Sequence, residues 1–386
     1  MGRIEEFLKK REKNNLLRTL KPATSRGQGL RISEGKEYID LSSNDYLGFS
    51  THYKLKQTAK EVVERLGVGS SASRLLSGDL DIYHKLEEKT AQFKGKEKAL
   101  VFNSGYQANV GIISAFYSQG DVIFSDKLNH ASIIDGIVLS GAKFFRFAHC
   151  DSNHLEQLLK EKRHKFKEAL IITESVFSMD GDKPELKELI NLKEKYNCKL
   201  LVDEAHATGI FGKNGSGVVE EEGLIKRIDL IIGTFGKALG SFGGYVACSK
   251  MAIDYLVNTA RSFIYSTALP PSVIATNLAS LELVEEEPER RIDLINNADY
   301  FRKGLKAAGF KVRGSSQIVP LIIGDNQKVT KISEELQRKG YWVLPIRPPT
   351  VPVGEARLRF SLTYHHSKEI LEKLIKDLCR SQFLNI

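Results

Sequence analysis

The sequence predicts an α/β protein, with a large, mostly parallel sheet domain and a small α+β C-terminal domain. Three observations carry that expectation. From about residue 80 to 250, short apolar runs alternate with stretches of helical spacing, the pattern of repeated β and α units. Several of the runs are apolar at nearly every position, as strands covered on both faces are. After about residue 282 the polar break Glu285-Glu286-Glu287-Pro288-Glu289 introduces a different order of elements.

Taken in order, Ile4, Phe7, Leu8, Leu16 and Leu17 stand among charges in a helical opening segment. Lys21-Pro22 ends it, because a proline pushes the preceding residue out of the helical region. Glu37-Tyr38-Ile39-Asp40-Leu41 reads as a short strand, and Ile82, Leu86, Thr90 and Phe93 as one face of a helix. Strand-like runs follow at 99–102, 121–124, 143–147, 169–173, 199–203, 229–233 and 244–247. Helical stretches separate many of them, such as Leu155, Leu158, Leu159 and Phe166. The C-terminal part reads as a helix over 292–308, strands over 317–323, 342–346 and 357–362, and a last helix over 367–379 with Ser367 as its N-cap. The expected partition is a basic N-terminal arm over 1–44, a large domain over 45–282 and a small one over 283–386.

A chain of 386 residues has room for two or three domains. Apolar, charged and aromatic fractions of 41%, 27% and 9% exclude disorder, collagen and coiled coil as global descriptions. No run approaches the roughly 18 apolar residues of a membrane span, and the start lacks the apolar region of a secretory leader. Cys150, Cys198, Cys248 and Cys379 lie far apart without CxxC spacing, which fits a reducing cytoplasm rather than a disulfide framework or zinc cluster. The net charge is +9, and nine Lys/Arg against three Glu put +6 of it in the first 31 residues. That basic start suits either a nucleic acid or an anionic small molecule.

In open α/β sheets, ligands bind beyond the carboxyl ends of the strands. Five runs end in candidate chemistry: Asn103-Ser104-Gly105-Tyr106-Gln107-Ala108-Asn109, Asn129-His130-Ala131-Ser132, Ser175-Val176-Phe177-Ser178-Met179-Asp180-Gly181, Asp203-Glu204-Ala205-His206 and Thr234-Phe235-Gly236-Lys237. Asp203 and Lys237 are 34 residues apart, about one βαβ unit. An acid at one strand end and a lysine past a later one suit pyridoxal phosphate (PLP). The amine forms a Schiff base with the aldehyde, and the carboxylate keeps the pyridine nitrogen protonated. His206 is spaced to reach the ring oxygen or the substrate, and Thr234 to reach the phosphate. Ser104-Gly105-Tyr106 opens a helix whose N-terminal amides favour a phosphate. His130 is placed to lie over the ring. Taken singly, each of these is an ordinary capped turn, core histidine or solvated lysine. Their joint placement carries the reading.

Rival motifs fail on inspection. Asp203-Glu204-Ala205-His206 spells a helicase box, but Gly236-Lys237 is followed by Ala238 and no phosphate-binding G-x-x-x-x-G-K-[ST] exists. No G-x-G-x-x-G follows a strand, no H-E-x-x-H exists, and His365-His366 has no carboxylate or Cys at ligand spacing, so no metal is expected.

These residues resemble the α-oxoamine synthases, PLP-dependent transferases of fold type I, and the resemblance covers nearly the whole chain. It rests on 42-SSNDYLG-48, 178-SMDGD-182, 203-DEAHATG-209, 234-TFGKALG-240 and 265-YST-267. A second set resembles the branch that makes a biotin precursor: 69-GSSASRL-75, 146-RFAHCD-151, 241-SFGG-244 and 346-IRPPTVP-352. The resemblance implies Lys237 as the Schiff-base lysine, Asp203 on the pyridine nitrogen, His206 on the ring oxygen, and His130 stacked on the ring beside the substrate. It implies Gly105, Tyr106 and Thr234 as phosphate ligands, with Ser266 and Thr267 reaching the phosphate from a second subunit. Arg359 would bind the amino-acid carboxylate, and Arg18, Asn44, Ser178 and Thr350 would line the site. Of Arg357 and Arg359, which alternate with Leu358 and Phe360 as on a strand with one solvated face, only Arg359 is expected to face the site. Cys150 stands where Asn is usual and Ala72 where Gly is common; the second bears on acyl-chain preference.

The implied reaction is an acyl transfer that joins L-alanine to pimeloyl-CoA, or to a pimeloyl carrier-protein thioester, with loss of CO₂. The implied assembly is a cytoplasmic homodimer that binds no nucleic acid and no membrane. The alternatives are a sister enzyme such as glycine C-acetyltransferase, a nucleic-acid-binding protein using the basic start, and a silent partner subunit, against which Lys237 argues.

Overall fold

The computed structural model describes residues 2–381. They form two compact units. Among the described residues, one comprises 49–177 and 183–291, the other 2–48, 178–182 and 292–381. The N-terminal stretch thus belongs with the C-terminal part of the chain, and the boundaries fall at 48/49 and 291/292.

The larger unit is built on seven strands: β1 (Lys98–Phe102), β2 (Val122–Asp126), β3 (Lys143–Phe147), β4 (Ala169–Glu174), β5 (Lys199–Asp203), β6 (Leu230–Thr234) and β7 (Gly244–Cys248). Their order across the sheet is β1-β7-β6-β5-β4-β2-β3. The pairs β6-β5, β5-β4, β4-β2 and β2-β3 are parallel, and β7 runs antiparallel to both neighbours. Six carboxyl ends therefore share one edge of the sheet, joined there by Gly244 at the start of β7. The runs of β2 and β4 are buried at every position, which explains their unbroken apolar character.

One face of this sheet is covered by the helices Gly105–Phe116 and Ala131–Ser140. Ile112, Ile113, Ile133 and Ile137 form one core with Leu170, Ile172, Leu201, Ile232 and Val246. Gly136 allows the two helices to approach, because a Cβ there would sit 3.0 Å from the Asn109 carbonyl oxygen. That approach presses Asn109 toward the carboxyl edge.

The smaller unit carries two sheets. Ser25–Gly27, Leu30–Ser33 and Lys36–Asp40 form an antiparallel meander, extended in parallel by Tyr341–Trp342. Ala356–Ser361 pairs antiparallel with Ile318–Gly324 and with Pro345–Ile346. The single strand expected over 342–346 is thus two short strands in different sheets. The first helix is Gly2–Lys13, shorter than the apolar spacing implied, so Leu16 and Leu17 lie outside it. The helix expected from 292 begins earlier, at Pro288, because proline is favoured in a first helical turn. Ser367 caps the last helix, Lys368–Cys379, its Oγ accepting from the Ile370 amide. Among the described residues, no helix is long and apolar enough to cross a membrane.

Candidate active site

The ends of β4, β5 and β6 and the helix after β1 enclose a cavity of about 170 Å³, into which Lys237, His206, Asp203, Asn109, Glu174 and His130 converge. Lys237 lies three residues past β6 and is half-buried. Its Nζ is 2.9 Å from Nε2 of the buried His206. Asp203, the last residue of β5, is buried. Its Oδ1 accepts from the Ala205 amide at 2.9 Å and its Oδ2 from Asn109 Nδ2 at 2.9 Å. Asn109 also donates to Ser132 Oγ at 3.0 Å, while its own buried Oδ1 has no partner.

Glu174 closes β4 and accepts from the His130 amide at 2.7 Å. Burial, reinforced by the nearby Asp203 carboxylate, pushes its carboxyl up to about 8, against the pull of Lys237 and the His130 amide. Glu174 therefore holds its proton at neutral pH. His130 caps the helix Ala131–Ser140, its Nδ1 accepting from the Ser132 amide. Desolvation of the ring holds the imidazole below its ordinary value; Asp203 opposes this and Lys237 adds to it.

The helix Gly105–Phe116 begins directly after β1, and Ser104 Oγ accepts from Gln107 N at 3.1 Å. The other first-turn amides are left for an anion. A Cβ on Gly105 would come within 3.7 Å of Thr234 Cβ, so the helix start and the Thr234 hydroxyl share one corner. Thr234 Oγ1 donates to Gly243 O at 2.7 Å and accepts from Gly236 N at 3.1 Å. Gly244 must lack a side chain here, because a Cβ would lie 2.5 Å from the Gly105 amide nitrogen. Tyr106 turns its hydroxyl to Asp135 and its ring edge-on to His130, with centroids 6.4 Å apart. Ser266 Oγ donates to Ser262 O and receives Gln107 Nε2 at 3.4 Å, and the Thr267 carbonyl receives Asn103 Nδ2 at 2.7 Å. Both therefore flank the same helix start within this chain.

The residues present fit PLP. They comprise a half-buried amine, a buried carboxylate beside an unpartnered amide oxygen, an aromatic side chain, and a helix N-terminus beside a hydroxyl.

The remaining expected residues lie in the smaller unit, in two groups. Arg359 is buried and donates to Ser178 O, Ser361 Oγ, Asn44 Oδ1 at 3.3 Å and Tyr46 Oη at 3.2 Å. Among the described residues it has no carboxylate partner. Arg357 contrasts with it, since Asp180 Oδ1 at 2.6 Å and Glu355 Oε2 at 3.1 Å neutralise it. The expected solvated face is a correction. Ala356–Ser361 is buried throughout, and residues two apart share a face, so both arginines point the same way. What separates them is charge compensation, not direction. In the second group, Arg18 donates to Thr350 Oγ1 at 2.8 Å. Both border a cavity of about 740 Å³ that Arg11 and Arg347 also line. Burial and the Arg18 and Arg11 charges lower the Arg347 pKa, as expected among crowded cations.

Sequence reasoning placed Asn109 in a candidate segment without a role and missed Glu174. Asn109 stands four residues after Gly105, on the same helix face. Glu174 is the acidic residue at the end of an otherwise apolar run. Their roles follow only from the sheet order, which sets β4 beside β5.

The profile of the aminotransferase class I and II family matches residues 36–378. The chain is 50% identical over 350 residues to the 8-amino-7-oxononanoate synthase of Geotalea daltonii, covering 90% of this chain and 89% of that one. It is 48% identical over 377 residues to that of Geobacter sulfurreducens, covering 97% and 96%. Among solved structures it is similar to a Sphingomonas wittichii serine palmitoyltransferase, with TM-score 0.92, 31% identity and coverage of 97% and 95%. It also resembles the S. paucimobilis serine palmitoyltransferase with bound PLP and myriocin, with TM-score 0.92, 31% identity and coverage of 98% and 96%. The 8-amino-7-oxononanoate synthase of Francisella tularensis matches with TM-score 0.78 at 31% identity, covering 89% and 97%. With a PLP-shaped donor set at the sheet edge and these relatives, the chain belongs to the aminotransferase class I and II family, and within it to the PLP-dependent 8-amino-7-oxononanoate synthases.

Proposed function

We propose that the chain catalyses the condensation of L-alanine with a pimeloyl thioester to give 8-amino-7-oxononanoate, CO₂ and the free thiol. The carrying observation is the Lys237 Nζ to His206 Nε2 pair at 2.9 Å beside the buried Asp203 carboxylate. PLP, when bound, supplies an electron-withdrawing ring that acidifies the α-carbon of the amino acid attached to it.

Lys237 would hold the cofactor through its amine, and that same amine is the base placed to take an α-proton and to return one. His206, within hydrogen-bond reach of Nζ, orients that amine and relays its proton. Asp203, pinned from two sides by Asn109 and Ala205, would stabilise a protonated ring nitrogen. His130 would lie against the ring. Among the described residues Arg359 is a buried cation without a carboxylate partner, which suits it to orient the alanine carboxylate until it leaves as CO₂. Gly105, Tyr106, Thr234, Ser266 and Thr267 serve the phosphate, and Asn44 and Ser178 border the amino acid.

Arg11, Arg18 and Arg347 with Thr350 receive the anionic acyl donor, whose terminal carboxylate and carrier phosphates both need positive charge. We assign the reaction to the cytoplasm, in keeping with four free cysteines, and to a homodimer. The exposed Leu76, Phe242 and Tyr265 support a second copy on the larger unit.

One observation favours a sister reading: the fold is as close to serine palmitoyltransferases as TM-score 0.92. Thiol release measured with L-alanine, glycine and L-serine against pimeloyl-CoA, acetyl-CoA and palmitoyl-CoA separates the two. Alanine with pimeloyl-CoA is expected to lead; dominant turnover with glycine or serine overturns the proposal. Repeating the assay with a pimeloyl carrier-protein thioester identifies the donor.

A further inference from the structure

Away from the cofactor cavity, three side chains gather at the neighbouring ends of β2 and β3. Asp126 closes β2 and is fully buried. His149 and Cys150 follow β3 by two and three residues. His149 Nδ1 lies 3.0 Å from Asp126 Oδ1. The Cys150 sulfur lies 3.6 Å from His149 Nε2 and 3.7 Å from Nδ1, against the ring. Asp126 Oδ2 also accepts from the Cys150 amide at 2.9 Å, so one carboxylate holds both the imidazole and the backbone that carries the thiol. Phe177 fixes the imidazole edge-on, with centroids 4.4 Å apart at 89°.

Asp151, His154 and Arg146 nearby have engagements of their own, and the Glu174 carboxyl acts on Asp126 through space. Asp151 Oδ1 accepts from the His154 amide, and His154 Nδ1 accepts from the Ala148 amide. Arg146 donates to the Lys127 carbonyl.

We propose that Cys150 is a thiol-modification site in which His149, oriented by Asp126, takes the thiol proton and leaves a thiolate beside an imidazolium. A thiol packed against an imidazole that a buried carboxylate holds gains its thiolate from the positive charge of that ring. The half-buried position leaves the sulfur open to small reagents. The other cysteines lack this setting. Burial pushes Cys198 up to about 11 and Cys248 up to about 12, and Cys379 is simply exposed. The natural reactant class is a small disulfide such as oxidised glutathione. The Cys150 thiolate attacks one of its sulfurs, a new S–S bond forms, the old S–S bond breaks, and the other half leaves as a thiolate. His149 then releases its proton to solvent, and no further oxidant is consumed.

The test uses the full-length holoenzyme, limiting iodoacetamide and peptide mass mapping of all four cysteines. At pH 6.5 Cys150 should be alkylated at least ~10-fold faster than the more exposed Cys379, because His149 takes the Cys150 proton. His149→Gln should bring Cys150 to or below the Cys379 rate, and oxidised glutathione should add its mass to Cys150 first, reversibly by dithiothreitol. Cys379 reacting faster than Cys150 at pH 6.5, or a Cys150 rate unchanged in folded His149→Gln, overturns the proposal. If His149→Gln does not fold, the ratio of the two rates in the unaltered protein decides alone.

Discussion

Lys237 Nζ and His206 Nε2 stand 2.9 Å apart, although they follow different strands and are 31 residues apart in the chain. The pair couples the lysine's base to a proton partner. Lys237→Ala should abolish thiol release with alanine, and borohydride should no longer fix PLP to the protein. His206→Asn should keep PLP attachable by borohydride but lower kcat about 10²–10⁴-fold, the usual span for a lost acid–base partner, with KM for alanine changed less. Steady-state kinetics and mass mapping check both.

Asn109 is predicted to act through Asp203. Its Nδ2 bridges Asp203 Oδ2 and Ser132 Oγ, both buried. Asn109→Ala leaves those acceptors short of a donor and should destabilise the protein by about 1–3 kcal/mol in denaturant unfolding. The same variant should release PLP faster, measured by dialysis and absorbance, because Asp203 loses one of its two anchors. Asn109→Asp should be worse, since it sets a carboxylate against a carboxylate.

Glu174 sets a pH dependence. Its carboxyl is raised from 4.5 to about 8, so the folded state keeps a proton that the unfolded chain gives up. Its contribution to stability is thus fully present below pH 4.5 and is lost as pH rises through 8. Glu174→Gln mimics the protonated form. Its Tm should match the parent at pH 4.5 or below and exceed it by a margin that grows as pH rises toward 9, as thermal melts across that range would register.

Lys94 and Glu204 form a wholly buried ion pair at 2.9 Å behind the turn that bears Asp203 and His206. Lys94 Nζ also donates to Thr208 Oγ1 at 3.1 Å and to Ser216 O. Lys94→Met strands the Glu204 carboxylate and should cost about 3–5 kcal/mol, whereas Lys94→Met with Glu204→Gln should recover part of that. Urea titrations of the single and double variants measure the coupling.

The basic N-terminal stretch resolves into unequal members. Arg11 and Arg18 line a cavity with Arg347, while Lys9 pairs with Glu5 at 2.7 Å on an exposed helix face. Arg18→Ala should raise the apparent KM for pimeloyl thioester about tenfold, the loss of one charge-assisted bond, and spare alanine. Arg11→Ala should act in the same direction, and Lys9→Ala should change little.

The sheet, the residues at its carboxyl edge and the lysine proposed to hold the cofactor were legible in the order of residues. The strands of the large sheet that are buried on both faces are apolar over most of their length, and their reactive groups stand where they end. The runs ending at Asp203 and Thr234 announce their chemistry in that way. Pairing information is not written locally. β7 turns antiparallel between β1 and β6, and β4 lies beside β5, only because of how the chain crosses over. That order brings Glu174 against Asp203 and raises its carboxyl. The same holds for the two arginines of Ala356–Ser361. Sequence spacing puts both on one face, but whether each is neutralised depends on Asp180 and Glu355, which folding brings beside Arg357 and not beside Arg359. Local pattern thus determined the elements and the donor types. Which charges meet, and which stay uncompensated, was decided by tertiary packing, because electrostatic environment depends on distance in space rather than on separation along the chain.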